Sequence, residues 1–124
     1  MRVELVAPDR EVWAGDATMV IARTTEGDIG ILPGHEAVLG LLVESPVTIH
    51  REGAPDLVAA VHGGFLSVTT AGVSVLAEMV ELAEEIDADR ARRALGRAHE
   101  DDDPQAKAAA RRATARLRVL GEHG

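Results

Sequence analysis

The sequence contains no cysteine and very few aromatic residues. Without cysteine, neither a disulfide framework nor a thiolate metal site can form, and this fits a reducing compartment such as the cytosol. Aromatic side chains make up 2% of the 124 residues, and the only large rings are Trp13 and Phe65. The core is therefore predicted to consist of Val, Ile, Leu and Ala, with these two rings as its only large members.

Long apolar runs are also missing. The longest apolar stretch, Ala37 to Val43, is far shorter than the roughly 20 residues that a membrane-spanning helix needs. The first residues do not form a basic and then apolar leader. We therefore expect neither a secretory signal nor a membrane-spanning segment.

Basic residues are scarce before the last third of the chain. Residues 1–86 carry 4 basic and 14 acidic side chains, whereas residues 87–120 carry 9 basic and 6 acidic ones, within a net charge of −8. An acidic body without a dominant basic surface disfavours a nucleic-acid partner. The basic tail is either ordinary solvated helix surface or a surface that meets an anion or an acidic partner, and charge alone leaves both interpretations open.

Residues 1–85 have the pattern of a β domain. Short stretches of alternating polar and apolar residues are separated by turn signals about ten residues apart, such as Gly53, Gly63-Gly64 and Gly72. This spacing is typical of a sandwich or barrel, and we predict strands that follow one another as a meander.

Residues 86–124 have a helical period. Asp87 is a predicted N-cap for a first helix, and Asp103 with Pro104 is predicted to begin a second, which gives an antiparallel αα-hairpin. The apolar seam of this hairpin is nearly all alanine, which favours helix but buries little area at about 25 cal/mol per Å². The hairpin is either a mobile element or simply rich in alanine, and the sequence leaves both open.

Motifs of independent catalysis are absent from the sequence. There is no phosphate-binding P-loop, no His-Glu-x-x-His pair and no nucleophile elbow. His35 beside Glu36 suggests a metal or acid–base pair, but a polar turn after Pro33-Gly34 is the more ordinary interpretation. His50 and His62 are expected at half-exposed strand positions. We predict no catalytic residue and no metal site.

The arginines of the tail have a more informative spacing. Arg90, Arg93 and Arg97 share one face of the first predicted helix, and Arg112 and Arg116 are one turn apart on the second. In an antiparallel hairpin the two rows can face one gap, where guanidinium groups suit phosphate oxygens. The alternative is that these arginines face solvent and pair with Asp and Glu.

Four stretches together resemble one known family. They are "EGDIGILPGHEAVLGLL" from Glu26, "VHGGFLSV" from Val61, "VSVLAE" from Val73 and "ARLRV" from Ala115. Over nearly the whole chain, this order resembles the epsilon subunit of bacterial F-type ATP synthase. The resemblance implies a mainly β plus α fold, with an N-terminal ten-stranded β-sandwich followed by a C-terminal antiparallel two-helix hairpin.

The resemblance also implies a role and partners. It implies a non-catalytic central-stalk subunit that couples rotation of the c-ring to the catalytic head and needs no cofactor. The implied partners are the gamma subunit, the c-ring and, through an extended hairpin that blocks ATP hydrolysis, the alpha/beta head. The implied location is peripheral, on the cytoplasmic face of the cell membrane as part of the F1 sector. Asp28 and His35 match positions that meet the c-ring.

The start of the first helix resembles an ATP-binding motif of some family members, Ile/Leu-Asp-x-x-Arg-Ala. ATP would then be a regulatory ligand that bridges both helices and favours the folded-down hairpin. The positions that the resemblance assigns to ATP are Glu81, Ile86, Asp87, Arg90, Ala91, Arg97, Arg112 and Arg116. Two alternatives remain: a free-standing ATP-binding sensor, and a small β-sandwich enzyme using His35 and Glu36.

Overall fold

The computed structural model describes residues 1–97, the backbone of residues 98–100, and residues 104–121. Ten strands come first, followed by one 3-10 turn and two helices, which confirms the predicted fold class. The elements are β1 Arg2–Ala7, β2 Arg10–Asp16, β3 Met19–Thr24, β4 Gly27–Ile31, β5 Val38–Leu42, β6 Ser45–Arg51, β7 Ala54–Val61, β8 Gly64–Thr69, β9 Gly72–Ala77, β10 Val80–Leu82, the 3-10 turn Ala83–Glu85, α1 Ala88–Glu100 and α2 Pro104–Val119.

The ten strands form one continuous hydrogen-bonded sheet. Its order is β10-β7-β6-β3-β5-β8-β9-β1-β2, with β4 paired to the side of β3. Sequential pairs such as β6 with β7 are antiparallel hairpins, but β5 pairs with β8 and β1 runs parallel to β9. The predicted simple meander is therefore wrong. Joining strands distant in sequence lets the sheet fold over its own apolar face.

One hydrophobic core lies between the two layers of this folded sheet. Every strand except β2 contributes buried side chains to the core, all of them Val, Ile, Leu or Ala, with Leu5, Ile49 and Leu66 among the largest. The aliphatic part of the predicted core is confirmed, and Trp13 packs partly buried against it. Phe65 is not in the core: its side chain points outward because its neighbour Leu66 points inward.

The hairpin begins at the predicted cap. The Asp87 carboxylate accepts a hydrogen bond from the Arg90 backbone N–H at 3.0 Å, which satisfies one free donor of the first turn of α1. Pro104 is the first residue of α2, as predicted, while its predicted cap Asp103 lies outside the described residues. The helices meet through small side chains, with Ala91, Ala113 and Leu117 buried in the seam.

α2 docks on one outer face of the sandwich. It packs against β6 and β7 and covers Ala60, which points away from the core between the inward-facing Ala59 and Val61. Ala115 is also buried, and it lies on the other side of α2 from the α1 seam. In the part of the chain that the structure describes, neither helix packs on the outer face of the layer formed by β5, β8, β9 and β1.

Gly64 begins β8 where two backbones approach closely. Its φ is +122°, and a Cβ there would lie 2.2 Å from the carbonyl oxygen of Leu76. We expect Gly64→Ala to lower the free energy of unfolding by about 2–5 kcal/mol, because strain and overlap add. Urea denaturation measures this. Gly30→Ala is the control, since that position has ordinary φ and open space. Equal losses in both variants would contradict the expectation.

Candidate functional site

A buried polar cluster joins the sandwich to the hairpin. Glu81 of β10 accepts hydrogen bonds from His62 Nε2 at 3.0 Å and from Arg116 Nε of α2 at 2.5 Å, both at Oε1. His62 lies just after β7 and is only 5% exposed, so the expected half-exposed strand position is wrong. The cause is tertiary: β10 and α2, which approach it here, are distant in sequence.

Burial disfavours the charged form of His62 in this cluster. Burial lowers the pKa of His62 below its usual value; the Glu81 hydrogen bond opposes that change, and the Arg116 charge adds to it. Because a carboxylate only accepts hydrogen bonds, the proton of the neutral ring belongs on Nε2, which leaves Nδ1 as an acceptor. Nδ1 is buried and has no hydrogen-bond partner in the part of the chain that the structure describes.

The residues of α1 and its start that are assigned to ATP differ in their contacts and burial. Asp87 is already engaged as the helix cap, while Arg90 and Arg97 are exposed on α1. Ile86 is half-buried. Ala91 is only 1% exposed because it packs in the seam, so in this docked hairpin its small size permits close helix packing.

The arginines of α2 are also divided. Arg116 is bound to Glu81, which also belongs to the ATP set. Arg90, Arg97 and Arg112 form no ion pair or hydrogen bond through their side chains among the described residues. Arg90 adjoins Ala91, and Arg112 adjoins Ala113, on the two helices of the same seam. Among the described residues assigned to ATP, three guanidinium groups are therefore uncompensated, and two of them flank one helix–helix contact.

Asp28 and His35 occupy opposite ends of β4. Asp28 sits beside the β3–β4 turn and pairs with Arg23 Nε at 2.6 Å, an interaction that lowers the pKa of Asp28. His35 follows the far end of β4, in a turn closed by its own N–H to the carbonyl of Leu32. The described residues do not bring these two side chains together.

The His35 and Glu36 pair has the features of a polar turn. His35 Nδ1 lies 2.8 Å from the backbone carbonyl oxygen of Glu36, its own neighbour. Within residues 1–97 and 104–121, no three His, Cys, Asp or Glu side chains are grouped as a metal site would require. In the same part of the chain, neither helix has the length and apolar character to span a bilayer.

An apolar row crosses the uncovered face of the sandwich. Leu41 pairs with Phe65, Phe65 with Leu76, and Leu76 with Val6, across four adjacent strands. Leu41, Phe65 and Leu76 are 51%, 49% and 46% exposed. Sequence analysis missed this row, although the inward side chains of Leu66 and Val68 in β8 already place Phe65 outward. Neighbouring exposed apolar side chains on one face mark an interaction surface.

Comparison with known sequences gives a consistent family. The model of the family "ATP synthase, Delta/Epsilon chain, beta-sandwich domain" matches residues 1–83. The chain is 54% identical over 120 residues to the ATP synthase epsilon chain of Streptomyces avermitilis, covering 97% of this chain and 94% of that one. It is 52% identical over 121 residues to that of Mycobacterium sp. strain KMS, with the same coverage.

Comparison with solved structures gives the same fold. One is a chain in the Euglena gracilis mitochondrial ATP synthase, "OSCP/F1/c-ring in rotational state 1", with a TM-score of 0.78, 24% identity, and coverage of 96% of this chain and 78% of that one. Another is in the Tetrahymena thermophila mitochondrial ATP synthase "central stalk/cring", with a TM-score of 0.64, 21% identity, and coverage of 97% and 92%. At these identities the likeness concerns the fold.

Proposed function

The chain belongs to the family of ATP synthase epsilon chains, and from that premise we propose that it couples c-ring rotation to the catalytic head within the central stalk. It is a non-catalytic subunit, so the alternative of an independent enzyme using His35 and Glu36 is set aside. The observation that carries the proposal is identity above one half along 97% of the chain.

The gamma subunit is the proposed partner of the apolar row. Leu41, Phe65 and Leu76 lie on the sandwich face opposite the hairpin, so the hairpin and gamma do not compete for one surface. An apolar groove of about 320 Å³ runs beside the row, between Pro8 and Phe65. A row of apolar side chains with a groove beside it suits an apolar side chain from a partner.

The c-ring is the proposed partner of the ends of β4. Asp28 and His35 are exposed or half-exposed polar residues at those ends, so each is available to a polar loop. Because β4 separates them, we assign them to separate contacts with the ring. With this contact we propose a peripheral location on the cytoplasmic face of the cell membrane, as part of the F1 sector.

The hairpin is the proposed regulatory element, with ATP as its ligand. The support is the set of uncompensated guanidinium groups of Arg90, Arg97 and Arg112 beside the α1–α2 seam. Phosphate oxygens held by arginines of both helices would tie the helices together. ATP would then favour the docked hairpin over an extended one that reaches the alpha/beta head and blocks hydrolysis, to the extent that it binds the two states differently.

Calorimetric titration of the isolated chain with ATP tests the ligand. We expect saturable binding that weakens by at least about tenfold in Arg90→Gln/Arg112→Gln, since each charge-assisted contact contributes about 1.4 kcal/mol or more. Arg93→Gln is the control, an exposed arginine of α1 outside the assigned set. Asp87→Asn tests our proposal that the Asp87 carboxylate accepts a hydrogen bond from the amino group of the adenine base, because asparagine still caps α1 while presenting different hydrogen-bonding atoms.

The outcomes separate the proposals. Unchanged affinity in Arg90→Gln/Arg112→Gln, or no binding up to millimolar ATP, would reject ATP sensing by the hairpin and leave the stalk role intact. Binding of ATP without capture of gamma or the head in a pull-down would instead favour a free-standing ATP-binding sensor.

A further inference from the structure

A second cationic site lies outside the hairpin set, in a groove between α2 and the sandwich. The groove has a volume of about 530 Å³, and none of its lining residues is among those assigned to ATP. Its apolar floor includes Leu42. The polar side chains that line it are Arg23, Glu44, Arg111, Thr114 and Arg118.

α2 presents three of these side chains on one face. Arg111, Thr114 and Arg118 are spaced by three and four residues, so they stack along the helix with Thr114 between the arginines. Seven residues at 1.5 Å rise separate the two arginines by about 10 Å along the axis, a span that long guanidinium side chains close over a small ligand. Arg23 of β3 faces them from the sandwich.

The charges of the groove are only partly compensated. Arg111 Nε meets Glu44 Oε2 at 3.3 Å, with the arginine largely exposed, and such pairs are weak. Arg23 pairs with Asp28. Arg118 and Thr114 form no side-chain hydrogen bond or ion pair in the described part of the chain. Three guanidinium groups therefore face two carboxylates, within a chain of net charge −8.

We propose that this groove binds a small phosphate-bearing anion, either free diphosphate or the diphosphate part of a nucleotide. Arg118 and the Thr114 hydroxyl supply hydrogen-bond donors to the phosphate oxygens. Arg111 gives up its exposed contact with Glu44 and binds the ligand instead. The ligand contacts α2 on one side and Arg23 of the sandwich on the other. Its occupancy therefore stabilises the docked hairpin, independently of ATP at the α1–α2 seam.

Calorimetric titration of the full chain with inorganic diphosphate at fixed ionic strength tests the proposal. We expect affinity to fall by at least about tenfold in Arg111→Gln/Arg118→Gln, as two charge-assisted contacts are lost. The matched control, Arg90→Gln/Arg112→Gln, removes the same two positive charges from the hairpin set and is expected to stay within about twofold. Thermal melting of each variant confirms that it is folded. Arg23→Gln/Asp28→Asn neutralises a whole ion pair and so leaves the net charge unchanged. We expect this variant to bind diphosphate more weakly, because the site spans both α2 and the sandwich.

Three outcomes would overturn the proposal that the groove binds diphosphate. They are no binding of diphosphate by the unmodified chain, an equal loss of affinity in both double variants, or a loss of affinity in Arg90→Gln/Arg112→Gln alone. Full affinity in Arg23→Gln/Asp28→Asn would overturn the bridging of α2 to the sandwich. ATP in place of diphosphate distinguishes the sources. If Arg111→Gln/Arg118→Gln weakens the binding of ATP, the ligand of the groove is a nucleotide. If only Arg90→Gln/Arg112→Gln weakens the binding of ATP, the ligand of the groove is free diphosphate.

Discussion

Replacing Phe65 with aspartate is expected to weaken binding of the gamma subunit by at least about a hundredfold. Phe65 is the middle residue of the apolar row, with Leu41 on one side and Leu76 on the other. Truncating an aromatic anchor at the centre of an interface costs about 2–4 kcal/mol, and a carboxylate without a partner there adds its desolvation. A hundredfold corresponds to about 2.7 kcal/mol, the lower part of that range.

Surface plasmon resonance of the isolated chain on immobilised gamma measures this loss. Leu32→Asp is the matched control, because Leu32 is an exposed leucine in the loop after β4 and lies outside the row. Phe65 is half-exposed, so its replacement should leave the melting temperature nearly unchanged. A folded Phe65→Asp chain that binds gamma as tightly as Leu32→Asp does would place the gamma contact elsewhere on the sandwich.

The parts of the fold that depend on local chemistry could be predicted from the sequence. The change from period 2 to period 3.6 separated strands from helices, and the cap at Asp87 and the start of α2 at Pro104 followed from their backbone requirements. Alternation within β8 also contained the outward direction of Phe65. That signal was overlooked because a scarce aromatic ring suggested a core position.

The parts that depend on chain reversal over long distances could not be predicted. The parallel pairing of β1 with β9 joins residues about 70 positions apart, and no local pattern indicates it. His62 is buried because β10 and α2 approach it, and its own segment gives only a histidine beside two glycines. The groove of Arg23, Arg111 and Arg118 arises in the same way, since spacing along α2 indicates a shared helix face but not the strand opposite.

Deleting residues 87–124 is expected to abolish ATP binding and to raise ATP hydrolysis by the assembled complex, while affinity for gamma is unchanged. Among the described residues, the buried core of the sandwich ends at Val80 and the last side chain packed against it is Leu82, so the deletion leaves this packing in place. The apolar row also lies entirely within the strands. On the sandwich, Ala60 loses its helix cover, and Glu81 loses its ion pair with Arg116 but keeps its hydrogen bond to His62. Loss of assembly after the deletion would show that the hairpin is needed for more than regulation.

A single substitution can release the hairpin from the sandwich without removing it, so its effect can be compared with that of the deletion. Ala115 is buried on the side of α2 away from the α1 seam, so Ala115→Glu opposes docking on β6 and β7 while leaving the seam of Ala113 and Leu117 in place. Burying an unpaired carboxylate costs at least about 2 kcal/mol, which shifts the docked-to-extended ratio roughly thirtyfold.

If the extended hairpin blocks the head, Ala115→Glu lowers hydrolysis, whereas the deletion raises it. Gln105→Glu, at an exposed position of the first turn of α2, is the control. Opposite changes in ATP hydrolysis in Ala115→Glu and in the deletion would show that the hairpin inhibits only when it is released from the sandwich. An increase in both variants would mean that the docked hairpin is itself the inhibiting form.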